Sequence, residues 1–184
     1  MDAEIIRIIA SVSSALAIII SLFIFISRSR RVILATKLSD DVLWMIYYFL
    51  MGTINGNYTA GMMNIIAFAR EIVFYNRDKK WASSRLWLYF FLALAAAFCA
   101  FTWTGPVSAL PSLGTGLYVT AFWMKDPHRI RLISLPAQIL WLIYNIIIGA
   151  VFGIIGSVIP LVSITIGLIR DHLAEKSENS GAGA

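Results

Sequence analysis

Charge is scarce in this chain, and so are the side chains that carry chemistry. Asp, Glu, Lys and Arg make up 14% of the 184 residues, against about 25% in an ordinary soluble domain. Cysteine occurs once, at Cys99 in an apolar stretch. That excludes a disulfide framework and a cysteine metal site, and leaves a small buried hydrophobe. The two histidines, His128 and His172, are not at metal-ligand spacing. There is no Gly-rich phosphate loop and no Ser/His/Asp set. These absences argue against an enzyme, and we expect neither cofactor nor metal. A retinal-type photoreceptor would need a lysine in the last apolar run, Val151–Ile169, which has none.

What is present is apolar. Hydrophobic residues make up 59% of the chain. In water this composition would leave large apolar patches exposed; in a bilayer the same surface is at home. Seven runs read as spanning helices, since about 20 residues cross the hydrocarbon: 5–26, 32–52, 58–75, 86–103, 106–124, 130–149 and 151–169. They are long and lack strand-like alternation, so helices rather than a barrel are expected. The opening Met1–Arg7 is acidic rather than basic, so we expect no cleaved signal peptide. The tail, 173–184, is expected to be disordered and cytoplasmic.

The charges test this division. With seven spans, the loops after spans one, three and five share a side with the C-terminal tail. That side holds 14 of the 15 Lys and Arg, leaving only Arg7 opposite. The positive-inside rule then puts the N-terminus outside and the C-terminus in the cytoplasm of a multi-pass inner-membrane protein. Trp81, Trp87, Trp103 and Trp123 fall near span ends, where amphipathic rings favour the interface. The net charge of +5 is spread over short clusters between apolar runs. That favours anionic lipid over nucleic acid as the partner; the oligomeric state is open.

The chain also repeats itself. Leu43–Gly56 aligns without gaps to Leu140–Gly153, with six of fourteen positions identical. The basic clusters that precede each segment align too, and a short gap pairs Arg70 with Arg170. Spans one to three (1–81) and five to seven (105–172) therefore read as two copies of a three-helix unit. Each copy has an odd number of spans, so the single span four (82–104) gives them the same orientation. The expected fold is an all-α membrane protein of 3+1+3 plan, and carriers of such plan bind solute near the midplane between repeats.

The Leu-Trp-x-Ile-Tyr signature at Leu43–Tyr47 and Leu140–Tyr144 resembles the SWEET, SemiSWEET and PQ-loop superfamily. The stretch Gly52-x3-Gly56 through Asn64-Ile-Ile-Ala-Phe-Ala-Arg70 to Phe74, together with Leu140–Arg170, more closely resembles the YgjV-type bacterial inner-membrane proteins. The resemblance implies architecture. Transport of a small polar solute such as a sugar follows from it by analogy of fold. A non-transporting interaction or sorting protein on the same fold is the alternative.

Candidate site residues follow from helical spacing. Lys37, Asp41, Trp44 and Tyr48 share one face, as do Ser134, Gln138, Trp141 and Asn145. Tyr47 and Tyr144 adjoin these stripes. Asn64 sits mid-span, where an unpaired amide is costly. Pro160 would kink span seven and free backbone carbonyls. These eight aromatic, amide and proline residues either line a solute pathway or pack between helices. Lys37 and Asp41 form either a coupling site or an ion pair at the interface. Arg70 and Arg170 are expected to snorkel to the inner headgroups. The pairs Gly52/Gly56 and Gly149/Gly153 mark tight outer turns or close helix contacts. Asn57-Tyr58-Thr59 matches a glycosylation sequon that lies close to the membrane.

Overall fold

The computed structural model describes residues 3–55, 58–103 and 105–181. Among them the chain is all-α, with seven helices: α1 (Ala3–Ile24), α2 (Arg30–Asn55), α3 (Thr59–Tyr75), α4 (Leu86–Phe101), α5 (Ala109–Trp123), α6 (Pro127–Ile147) and α7 (Val151–Gly181). A 3-10 turn, Pro106–Ser108, leads into α5. Three helices, α1, α6 and α7, are long and apolar enough to cross a membrane. The others are shorter or, in α2, carry Lys37, Asp40 and Asp41 along their length.

Each helix starts within a few residues of its expected position, because runs of apolar residues are punctuated by charge and glycine. The end of α7 differs. The segment expected to be disordered continues as helix to Gly181. Nothing between Asp171 and that glycine breaks a helix, so propagation costs little per residue. Residues 182–184, Gly56 and the sequon's Asn57 lie outside the described residues.

The polarity of α1 is inverted relative to a soluble helix. Its buried positions are small: Ala10, Ser13, Ser14, Ala17 and Ser21, with Ile24. Its large residues, among them Ile8, Val12, Leu16, Ile19 and Phe23, face outward. Lipid is as apolar as leucine, so close approach of backbones holds such helices together. Ser13 Oγ illustrates this by donating to the Leu43 carbonyl of α2 at 2.7 Å.

Packing joins the helices into a closed ring. α1 contacts α2, α2 contacts α3, α3 contacts α5, α5 contacts α6, α6 contacts α7, and α7 returns to α1. α4 lies outside the ring against α3 and α5. The ring places the polar stripes of α2 and α6 on its inner wall.

Candidate solute site within the helix ring

Two spaces lie along the ring. Near its middle is a cavity of about 60 Å³ bordered by α2, α3, α5, α6 and α7, with Ile24 and Phe25 from the end of α1. It has room for a few waters. Toward the end that holds only Arg7 among the arginines is a wider recess of about 740 Å³, whose wall includes Arg7, Met51, Phe152 and Gly149. Tyr48 borders both spaces.

Lys37, Asp41, Trp44, Tyr48, Asn64, Trp141, Asn145 and Pro160 all line the central cavity. Tyr47 and Tyr144 line the recess instead. Tyr47 meets Trp44, Tyr48 and Phe152 edge-on, at ring-centre distances of 5.5, 5.0 and 6.3 Å. Between recess and cavity, Tyr48 donates its hydroxyl to Asn145 Oδ1 at 3.1 Å. Asn145 Nδ2 donates in turn to Ser157 Oγ at 3.0 Å and to the Gly153 carbonyl at 3.2 Å. Asn64 donates to the Ala60 carbonyl one turn back, at 2.8 Å, so its amide nitrogen serves its own helix. α7 runs unbroken through Pro160. The proline's missing N–H nevertheless leaves the Gly156 carbonyl without its intrahelical donor. Ser134 is fully buried, and its hydroxyl has no partner among the described residues.

Glycines shape the aromatic seats. A Cβ on Gly156 would collide with the Trp44 indole, and one on Gly114 would come within 2.8 Å of Trp141. Gly149 ends α6 in the left-handed region at φ +67°. Gly156→Ala should therefore lose stability, although alanine is the better helix former by about 1 kcal/mol. Overpacking costs about 1–3 kcal/mol, so a net loss of up to about 2 kcal/mol is expected in detergent unfolding. Gly116→Ala, whose Cβ would sit 3.7 Å from Leu92, should be neutral or stabilising. Equal behaviour of the two variants would refute the seat.

The charged residues depart from expectation in part. Lys37 and Asp41 form the expected ion pair, at 2.5 Å and inside the ring, and Lys37 also binds Asp40 at 2.7 Å. Ser21 of α1 donates to the other oxygen of Asp40 at 2.8 Å. Arg70 does not snorkel. It is 1% exposed and holds Glu71 through two bonds of 2.9 Å, with its guanidinium 5.0 Å from the Phe122 ring centre. The reason is depth and rotation: Arg70 lies more than a turn inside the end of α3 and faces the ring. Arg170 stays near the rim, where it donates to the Ile26 carbonyl at 2.6 Å. Reasoning from sequence missed Glu71, Ser21, Tyr118 and the seat at Gly156. The adjacent opposite charges at Arg70-Glu71, inside an apolar run, were the available signal.

The arginine-rich end is closed by side chains that cap backbone carbonyls. Arg30 donates to the carbonyls of Met124 at 2.9 Å and Phe122 at 3.2 Å, and Arg77 donates to that of Trp123. In the opposite direction Arg131 donates to the carbonyls of Phe25 at 2.9 Å and Ser27 at 2.6 Å, and it pairs with Asp171. Carbonyls at a helix end lack intrahelical donors, and arginine is suited to supply them. Between the two sets, Phe25 stacks on Phe122 at 6.4 Å. On the surface beyond, Arg31 hydrogen-bonds Asp78 at 3.0 Å and holds its carboxyl below the usual range. Both are largely exposed, so this pair adds little to stability.

Comparison with known proteins agrees with the membrane reading. No curated protein and no solved structure matches the chain. The family Imp-YgjV, described as bacterial inner membrane protein, matches it over residues 8–175. That match takes in all or most of every helix, and three of the helices have the length and apolarity a bilayer demands. The chain belongs to the Imp-YgjV family of bacterial inner membrane proteins.

Proposed function

We propose that this protein is a carrier of a small polar solute, working by alternating access between two three-helix units of SWEET-like, parallel arrangement. In this reading all seven helices span, with the N-terminus outside and the arginine-rich end in the cytoplasm. Residues 1–81 and 105–172 are the moving units, and α4 is their connector. The observation that carries the reading is the cavity within the ring, lined by residues of both stripes. A second observation supports the repeat. Tyr48 and Asn145 are 97 residues apart, the spacing of the sequence repeat, and they bond to each other across the ring. Phe25 and Phe122, at the same spacing, stack on each other. A two-fold axis through the cavity brings equivalent positions face to face in this way.

The two closures are unequal. On the recess side, one neutral hydrogen bond, worth about 0.5–1.5 kcal/mol net, and ring contacts separate the cavity from solvent. On the other side several charge-assisted bonds, each about 1.5–3 kcal/mol, tie one unit to the other. In this reading the recess side opens more readily than the arginine-rich side. A cavity of about 60 Å³ is too small for a sugar, so solute entry widens it. Arg70 Nη1 is buried beside the cavity without a partner among the described residues, and it offers a donor to a solute oxygen.

Uptake into proteoliposomes and thermal shift across a panel of polar solutes test the reading. At least one solute should respond. Trp44→Ala with Trp141→Ala should weaken that response about tenfold or more, since each aromatic contact contributes about 0.5–1.5 kcal/mol. If no solute is taken up or shifts unfolding, the carrier reading fails.

A further inference from the structure

Five ionisable side chains meet where α2 and α3 border the central cavity: Lys37, Asp40, Asp41, Arg70 and Glu71. Four of them are 2% exposed or less, and Lys37 is 13% exposed at its side chain. Three are carboxylates and two are cations, so the group carries one uncompensated negative charge when fully ionised. The helices facing it add no further charge. α1 contributes Ser21, α5 contributes Tyr118 with its ring 6.0 Å from the Lys37 ammonium, α6 contributes Gln138 and α7 contributes Ser157. A net charge at this depth is expensive unless a positive charge joins it.

The hydrogen bonds distinguish the three carboxylates. Both oxygens of Glu71 accept from Arg70. Those of Asp40 accept from Ser21 and Lys37. Asp41 accepts from Lys37 through Oδ1, while its Oδ2 is buried with no partner among the described residues. Asp41 borders the cavity, and the cavity has room for the water that would carry a proton.

We propose that Asp41 is a proton-binding site in the wall of the central cavity. A proton arriving from cavity water forms an O–H bond at Oδ2, and the five-residue group becomes neutral. The bond from Lys37 to Oδ1 stays in place. Release reverses the step, with no redox change. The site stands on charge count and hydrogen bonding alone; that the proton drives solute movement is a consequence that rests on the carrier reading.

Infrared difference spectra of the purified protein in lipid nanodiscs, taken between alkaline and acidic buffer, test this with the proton itself as probe. A buried protonated-carboxyl band should appear on acidification. It should shift when the protein carries 13C-labelled Asp, and stay put with 13C-labelled Glu. Asp41→Asn should abolish it, while Asp40→Asn and Glu71→Gln, which also remove the uncompensated charge, should retain it only at lower pH. Absence of the band, a shift with labelled Glu, or persistence in Asp41→Asn would overturn the proposal. The isotope experiment uses the native sequence and so does not depend on the variants folding. A band without solute uptake would leave the site standing and the carrier reading lost; uptake without the band would do the reverse.

Discussion

Arg70→Met should be the most destabilising single substitution on the ring's inner wall, lowering stability by about 3–5 kcal/mol. The side chain it removes is 1% exposed, and its partner Glu71 is fully buried with both oxygens committed to Arg70. Without the guanidinium a carboxylate is stranded in the interior. A snorkelling arginine, its charge already in water, would cost far less, so unfolding in detergent separates the two descriptions. Buried pairs cost nearly as much in desolvation as they return, and apolar replacements of the whole pair are often neutral. The double variant Arg70→Met with Glu71→Met should accordingly recover most of the loss. Such recovery would show that the pair adds little net stability, consistent with a part in the proposed solute site. A double variant no more stable than the single one would contradict this.

Arg131→Ala should have the second largest effect, and its signature is conformational as well as energetic. Arg131 is 1% exposed and joins the start of α6 to two carbonyls at the end of α1 and to Asp171 of α7. Two of these contacts reach across the proposed units. Asp171 keeps His128 at 3.2 Å and is partly solvated, so the loss is smaller than for Arg70, about 2–3 kcal/mol. Without Arg131, the bond from Arg170 of α7 to the Ile26 carbonyl remains at the end of α1. Phe25 then has less to keep it stacked on Phe122. A cysteine at Ser27, in a background with Cys99→Ala, should react faster with a membrane-impermeant thiol reagent when Arg131 is absent. Arg131→Lys should behave like the alanine variant, because a point-like ammonium cannot serve three acceptors in a fork. Unchanged labelling in both variants would remove the inner closure from the mechanism.

The helix ends were largely legible in the chain because apolar runs and charged breaks are local properties. α3 differs from its expected range by one residue at its start, and α4 begins at the expected Leu86. The inward faces of α2 and α6 were legible too, since steps of three and four put Trp44 with Tyr48 and Trp141 with Asn145 on one side of a helix. Periodicity does not say what stands opposite, and that is where expectation and structure part. Arg70 and Arg170 occupy matching places in the aligned halves, yet one is sealed against Glu71 and the other caps Ile26 at the rim. Tyr47 lies next to Tyr48 but opens on the recess.

From its amino acids alone the protein was committed to long apolar helices, to a basic and a neutral end, and to two segments alike at a spacing of 97 residues. Hydrophobic length and charge placement act along the chain and need no partner. Closing the ring settled the rest: which charges face each other, that Gly156 seats Trp44, and that one oxygen of Asp41 has no partner among the described residues beside a small cavity. Those outcomes depend on how far each helix is rotated about its axis, and that is set by packing against neighbours distant in sequence.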